Sequence, residues 1–151
     1  MVIAYRTAKL PDAPLLVKLY NAAFYSDYLR YGECPGYGKS EESMRDSIRR
    51  VPKRIILCDG KPVGVISCKK TAEYSYEIGC LCVLPAYQGR GIGTKAVEDT
   101  LAYYSDWKKV TLVTPADKEE NVKFYTEKCG FRIEKAEIDG HVKVCCFVRE
   151  R

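Results

Sequence analysis

Gln88-Gly89-Arg90-Gly91-Ile92-Gly93 is the stretch of this chain whose residue types and spacing point most directly to chemistry. It is reached from the apolar run Ile78 to Leu84 through Pro85-Ala86-Tyr87, and an amphipathic helical pattern follows it. A strand that ends in a glycine-rich turn and opens a helix gathers backbone N–H groups at the positive end of a helix dipole. Glycines keep side chains out of the way. The product is an anion cradle, suited to a phosphate or pyrophosphate. The spacing is not the G-x-G-x-x-G of a dinucleotide fold, and no Gly-Lys-Ser/Thr follows as in a P-loop.

A second pattern lies further on: Asn121-Val122-Lys123-Phe124-Tyr125, four residues, then Gly130-Phe131. Tyr125 offers a phenol that is protonated at neutral pH (reference pKa ~10) and can act as a general acid. Glu77, eleven residues before Gln88, offers a carboxylate on the strand that leads into the turn, and Glu73 lies nearby. A carboxylate needs burial or a bridging water to serve as base toward an ammonium. Cys80 and Cys82 are nucleophile candidates. With His141 as the chain's single histidine, and in a hairpin, a Cys–His pair has little support.

The elements that must position these groups follow from periodicity and turn residues. Val2 to Tyr5 is a strand candidate. Pro11-Asp12-Ala13-Pro14 starts a helix with Asp12 as N-cap and Leu15, Leu16, Leu19, Tyr20 and Ala23 facing the core. Ser26 to Lys39 reads as a loop rich in tyrosine and glycine. Ser40 caps a second helix, with Glu41 and Glu42 in its first turn and Arg49 and Arg50 in its last. Arg54 to Cys58 and Val63 to Lys69 flank the turn Asp59-Gly60-Lys61-Pro62, and Tyr74 to Val83 is the strand before the glycine turn. A helix from Gly93 to about Tyr104 places Ile92, Ala96, Val97, Leu101 and Tyr104 on one face. Val110 to Val113 reads as a short buried strand, and Asn121 to Cys129 as a helix ended by Gly130. Phe131 to Ile138 and Val142 to Val148 form a last hairpin around Asp139-Gly140. One mixed α/β (α+β) domain over residues 1–151 is the economical fold.

Composition bounds the rest. With 151 residues the chain is long enough to bury a core, and 46% hydrophobic with 30% charged residues describes a globular protein. No apolar run reaches the ~20 residues that span a bilayer, so no membrane partner is expected. The start lacks the features of a secretory signal, and the expected location is cytoplasmic. Six of the eight cysteines fall within strand-like apolar runs, as reduced core thiols do. A zinc site from Cys80, Cys82, Cys145 and Cys146 is the weaker reading, and no metal is expected. The net charge of +5 suits an anionic ligand. Without a basic helix or an aromatic-basic run, it does not point to nucleic acid.

Val83-x-Pro85-x-x-Gln88-x-x-Gly91-x-Gly93, followed about thirty residues later by Asn121-x-x-Phe124-Tyr125-x-x-x-x-Gly130-Phe131, resembles the GNAT family of N-acetyltransferases. The opening Tyr5-Arg6-Thr7-Ala8-Lys9-x-x-Asp12 is also similar to the start of that family. The resemblance implies a mixed, mostly antiparallel central sheet flanked by about four helices, with splayed central strands forming a cofactor slot. It implies acetyl-CoA as acyl-donor co-substrate and direct attack by a primary amine in a ternary complex. Gln88, Gly89, Arg90, Gly91, Ile92, Gly93 and Thr94 match the positions that hold the pyrophosphate. Cys82, Val83 and Leu84 match the strand that pairs with the pantetheine arm, the N–H near Val83 facing the thioester carbonyl. Asn121 and Phe124 match positions along that arm, Tyr125 matches the general acid, and Glu77 matches the base of one branch of the family.

The first two helices and the segment between them wall the acceptor site in such proteins. Here that region offers Tyr25, Tyr28, Tyr31 and Glu33 (with Tyr37), aromatic faces and a carboxylate that suit a cationic amine. The acceptor is a small molecule or a peptide, and a second copy of the chain is a partner the family often shows. The competing functional class is a non-catalytic coenzyme A-binding regulatory or interaction module.

Overall fold

A computed structural model describes residues 1–151. The chain divides into two compact units: Met1–Cys68 with Cys80–Ala96, and Lys69–Gly79 with Val97–Arg151. Strands run in the order β1-β2-β3-β4-β5-β7-β6, and β3 and β4 pass through both units. No helix is long and apolar enough to cross a membrane.

The first unit begins with β1 (Ile3–Thr7) and α1 (Ala13–Tyr31), followed by α2 (Glu41–Arg50) and β2 (Lys53–Cys58). β1 pairs antiparallel with β2, and β2 with β3 (Lys61–Ala72) across the two-residue turn Asp59-Gly60. The turn is therefore two residues shorter than the sequence suggests, and Pro62 sits inside β3. Leu16, Leu19 and Tyr20 of α1 pack with Met44 of α2, Ile55 of β2, Val65 of β3 and Cys82 of β4 (Ser75–Val83) into one apolar cluster. Ser40 caps α2 as expected, its Oγ accepting from the Ser43 N–H at 3.0 Å.

Two expectations here need correction. Ser26 to Lys39 is not one loop, because α1 continues through Tyr31 and ends where the Gly32 N–H donates to the Tyr28 carbonyl. No proline or glycine interrupts residues 15–31, and the Tyr25 and Tyr28 rings pack on Tyr37 at 5.9 and 4.5 Å between centroids. That packing extends the helix beyond what tyrosine's modest propensity suggests. Asp12 does stand at the N-cap, but its carboxylate accepts from the Lys9 N–H and twice from Arg6 rather than from an α1 amide.

The second unit holds the start of β4, most of α3 (Ile92–Tyr103), β5 (Lys109–Pro115), α4 (Glu119–Lys123), and the edge hairpin β6 (Arg132–Asp139) and β7 (Val142–Glu150). β4 and β5 run parallel, joined by α3 as crossover, and their ladder covers Ser75–Glu77 against Lys109–Thr111. β5 is not buried throughout: Val110 and Leu112 are buried, but Val113 points outward, the alternation of a strand with two different faces. The exposed edge strand β6 is charged along its length, which discourages pairing with another chain. Past α4 the helix widens into a π turn over Phe124–Lys128, where the Thr126 hydroxyl donates to the Val122 carbonyl at 2.7 Å.

The Arg6 guanidinium holds the Asp12 carboxyl below the usual aspartate range. A depressed folded pKa adds stability that is present above the unfolded value of about 3.9 and is lost as pH falls through the folded one. Asp12→Asn is expected to lower unfolding free energy by roughly 1 kcal/mol at pH 7. Urea titrations of both proteins should show that difference closing below about pH 4.

Candidate active site

Two backbone constraints shape the end of β4. Gly64 of β3 faces the Cys82 carbonyl so closely that any Cβ would fall inside contact distance of its oxygen. Beyond it, the Leu84 N–H donates to the Val63 carbonyl at 2.8 Å. Leu84 thus spends its N–H on β3. By the alternation of an antiparallel ladder, Val83 before it turns its N–H and C=O to the opposite edge. There the Gln88 side-chain amide donates to the Val83 carbonyl at 2.9 Å. Gln88 therefore braces the strand end as well as opening the glycine turn. The glycine inside β3 was the sequence signal for this close approach, and the motif reading passed over it.

The turn after β4 is a 3₁₀ turn over Pro85–Tyr87 and then two left-handed residues, Gly89 (φ 77°) and Gly91 (φ 81°). A side chain is disfavoured at both by backbone conformation, and nothing lies within 4 Å of where either Cβ would be. α3 starts at Ile92, whose side chain is buried, and the Lys95 N–H to Gly91 carbonyl bond closes its first turn. The N–H groups of Ile92, Gly93 and Thr94 precede that closure and have no acceptor in the helix. Open space, positive-φ backbone and orphan amides at a twelve-residue helix make a cradle that fits a diphosphate. Arg90 lies at its rim with the guanidinium 5.0 Å above the Tyr87 ring.

Under α1, the first unit holds a polar cluster that sequence reading missed. Lys53 is only 4% exposed, and Tyr20 only 3%. The Tyr20 hydroxyl is directed at the thiols of Cys80 and Cys82 but has no partner in hydrogen-bond geometry. Burial drives its pKa up. Burial also lowers the pKa of Lys53, reinforced by the nearby cations Lys39 and Arg50 and opposed by the two thiols. For Cys80, the Cys82 thiol, then the Tyr20 phenol and the two lysines, favour the thiolate against the cost of burial. Cys82 moves up in turn, beside that sulfur and buried.

The second unit carries the other motif. Asn121 lies on α4 and its Nδ2 donates to Thr114 Oγ1 of β5 at 3.1 Å. Phe124 and Tyr125 open the π turn, a local widening that is frequent at functional sites. Tyr125 is 8% exposed, its ring edge-on to Phe124 and Phe131 at 5.0 and 6.1 Å and tilted against Phe147 at 5.8 Å. Glu77, in contrast, is on an open face of β4: its side chain is 39% exposed and 3.8 Å from Lys69 Nζ. Glu73 is exposed at the β3–β4 turn.

Comparison with known proteins agrees with this arrangement. The acetyltransferase (GNAT) family model matches residues 16–131, a span that includes the glycine turn and the Asn121–Phe131 motif. The chain belongs to the GNAT family. An uncharacterized protein of Bacillus subtilis strain 168, YrkN, is 30% identical over 131 residues, which are 83% of this chain and 71% of YrkN. Among solved structures, an acetyltransferase from Thermus thermophilus superposes with a TM-score of 0.80 at 20% identity, over 100% of this chain and 98% of that one. The PaiA N-acetyltransferase of Thermoplasma acidophilum, solved with coenzyme A, gives 0.77 at 18% identity and full coverage of both chains. The seven-stranded sheet with four helices is the GNAT fold, and the chain is a GNAT-type acyltransferase.

Gly64→Ala tests the backbone clamp. The new methyl must displace β4, so stability is expected to fall by about 1–3 kcal/mol in chemical denaturation. Gly60→Ala, in the open β2–β3 turn, strains only a local positive φ and is expected to leave the β4 amides unshifted in NMR spectra. Unshifted Cys82–Leu84 amides in Gly64→Ala would contradict the clamp.

Proposed function

We propose that this protein transfers the acetyl group of acetyl-CoA to a primary amine, by direct attack of the amine while both substrates are bound. The observation that carries the reading is the cradle of two positive-φ glycines ahead of the unpaired amides of α3. Gly89 to Thr94 hold the diphosphate through main-chain N–H groups, and Arg90 adds charge at the rim. Cys82, Val83 and Leu84 supply the strand for the pantetheine arm. The outward Val83 N–H, fixed by the Gly64 approach and the Gln88 brace, is the donor for the oxyanion that forms at the thioester carbonyl. Asn121 and Phe124 contact the same arm.

Acetyl-CoA supplies an activated acyl group whose leaving thiolate must be stabilised. Tyr125 takes that role as general acid, donating its phenolic proton as the thiolate departs. Its packing among Phe124, Phe131 and Phe147 supports the assignment, because the ring has one orientation and needs no reorganisation. Glu77 is the proposed base. With a partly exposed carboxylate near Lys69 it reaches the ammonium through water rather than from a desolvated pocket. Tyr25, Tyr28, Tyr31 and Glu33, at the end of α1 and just after it, are assigned to the acceptor amine. The whole chain acts as one acetyltransferase domain in this reading.

Two variants separate holding the cofactor from chemistry. Gly91→Glu places bulk and negative charge in the cradle, and coenzyme A affinity in calorimetry is expected to fall at least about tenfold. An unchanged affinity would remove the cradle from the assignment. Tyr125→Phe is expected to reduce kcat by roughly 10- to 1000-fold with little change in acetyl-CoA affinity. Equal kcat where chemistry limits the rate would take Tyr125 out of the mechanism. Coenzyme A binding without thiol release across a broad amine panel would favour the non-catalytic module.

A further inference from the structure

Lys53 is the least expected charge in the molecule. A lysine buried to this degree normally meets a carboxylate, because removing an ammonium from water costs several kcal/mol unless something compensates it. Here no carboxylate pairs with it. The charged neighbours that act on it are Lys39, just before α2, and Arg50, at the α2 C-terminus, and both have the same sign. Neither of them has an acid partner either. Ionisation of Cys80 would offset one positive charge of the three. The Tyr20 hydroxyl, buried beside the Cys80 thiol, adds a donor to the same group. The cations grade from exposed Arg50 through half-buried Lys39 to buried Lys53, so the positive field is continuous with solvent.

Such a group is complementary to an anion. Lys53 opens β2, while Tyr20, Lys39 and Arg50 come from α1, the segment before α2 and the end of α2, the elements assigned above to the acceptor, and the group adjoins Cys80 on the strand assigned to the thioester. Resting on that acetyltransferase reading, we propose that Lys53, with Lys39 and Arg50, binds a carboxylate of the acceptor. The acceptor is then a free amino acid or a similar amine bearing a carboxylate, and not a polyamine. Carboxylate and ammonium are recognised by different parts of the same unit: cations and the Tyr20 phenol for one, Glu33 and the tyrosines for the other. A charge-assisted contact of this kind contributes about 10- to 100-fold in affinity.

The test uses matched pairs, each an amino acid and the amine left by its decarboxylation, with spermidine as a polyamine. They are titrated by calorimetry into the full chain saturated with coenzyme A, then compared by kcat/KM with acetyl-CoA. At least one carboxylated member is expected to bind at least about tenfold more tightly than its decarboxylated partner. Lys53→Met should abolish that preference, Lys53→Arg should retain part of it, and coenzyme A affinity should stay constant in both. Lys39→Met, at a half-exposed position, should reduce the preference even if Lys53→Met fails to fold. Equal or better binding of the decarboxylated amines or spermidine, or no binding of any carboxylated amine, overturns the proposal alone. Failure of the wild-type chain to bind coenzyme A overturns the acetyltransferase reading beneath it.

Discussion

Close backbone contact between Gly64 and the Cys82 carbonyl is the constraint from which the arrangement of β4 follows. With no side chain between the strands, β3 takes up the Leu84 N–H, and the alternation of the ladder turns Val83 the other way. Gln88 then occupies the Val83 carbonyl. The same residue begins the turn whose glycines open the α3 amides. In the proposed function, one strand end supplies both the oxyanion donor and the anion cradle, built mainly from peptide groups with Arg90 at the rim. A bulkier residue at position 64 would change the direction of these donors before it changed any residue that touches a ligand.

The two anion-recognising features of the first unit work by different physics. Neutral amides at an exposed helix end, the proposed diphosphate site, carry no standing desolvation cost, because peptide dipoles need no counterion. Burial imposes such a cost on the Lys53 ammonium, and in the proposed reading a ligand carboxylate offsets it. That difference suits a tightly held common donor and an acceptor chosen by its charge. In the second unit, Tyr125 is held by aromatic packing within a π turn.

Much of this was legible in the sequence where the cause is local. The glycine turn, the Ser40 cap and the Gly130 stop each depend on a few adjacent residues and stand where expected, and the hairpin stands there with a turn two residues shorter. The order of helices and strands followed from those marks and from the paired motifs. What was not legible depends on distant partners. Tyr28 and Tyr31 look like loop residues because nothing nearby shows that Tyr37 will stack on the helix and extend it. Val113 belongs to an apolar run, yet its outward face is set by the register of β5 on β7. Lys53 reads as an ordinary charge at the start of a strand, since its burial depends on the two helices laid over that face. Gly64 was the exception: a glycine inside an apolar strand is a visible sign of close backbone approach.

The most direct measurement is an amide NMR titration of the full chain, comparing coenzyme A with pantetheine, which lacks the diphosphate. The cradle account predicts large shifts for Gly89 through Thr94 with coenzyme A and near silence there with pantetheine. Equal shifts with both ligands, or coenzyme A shifts confined to other residues, would contradict it.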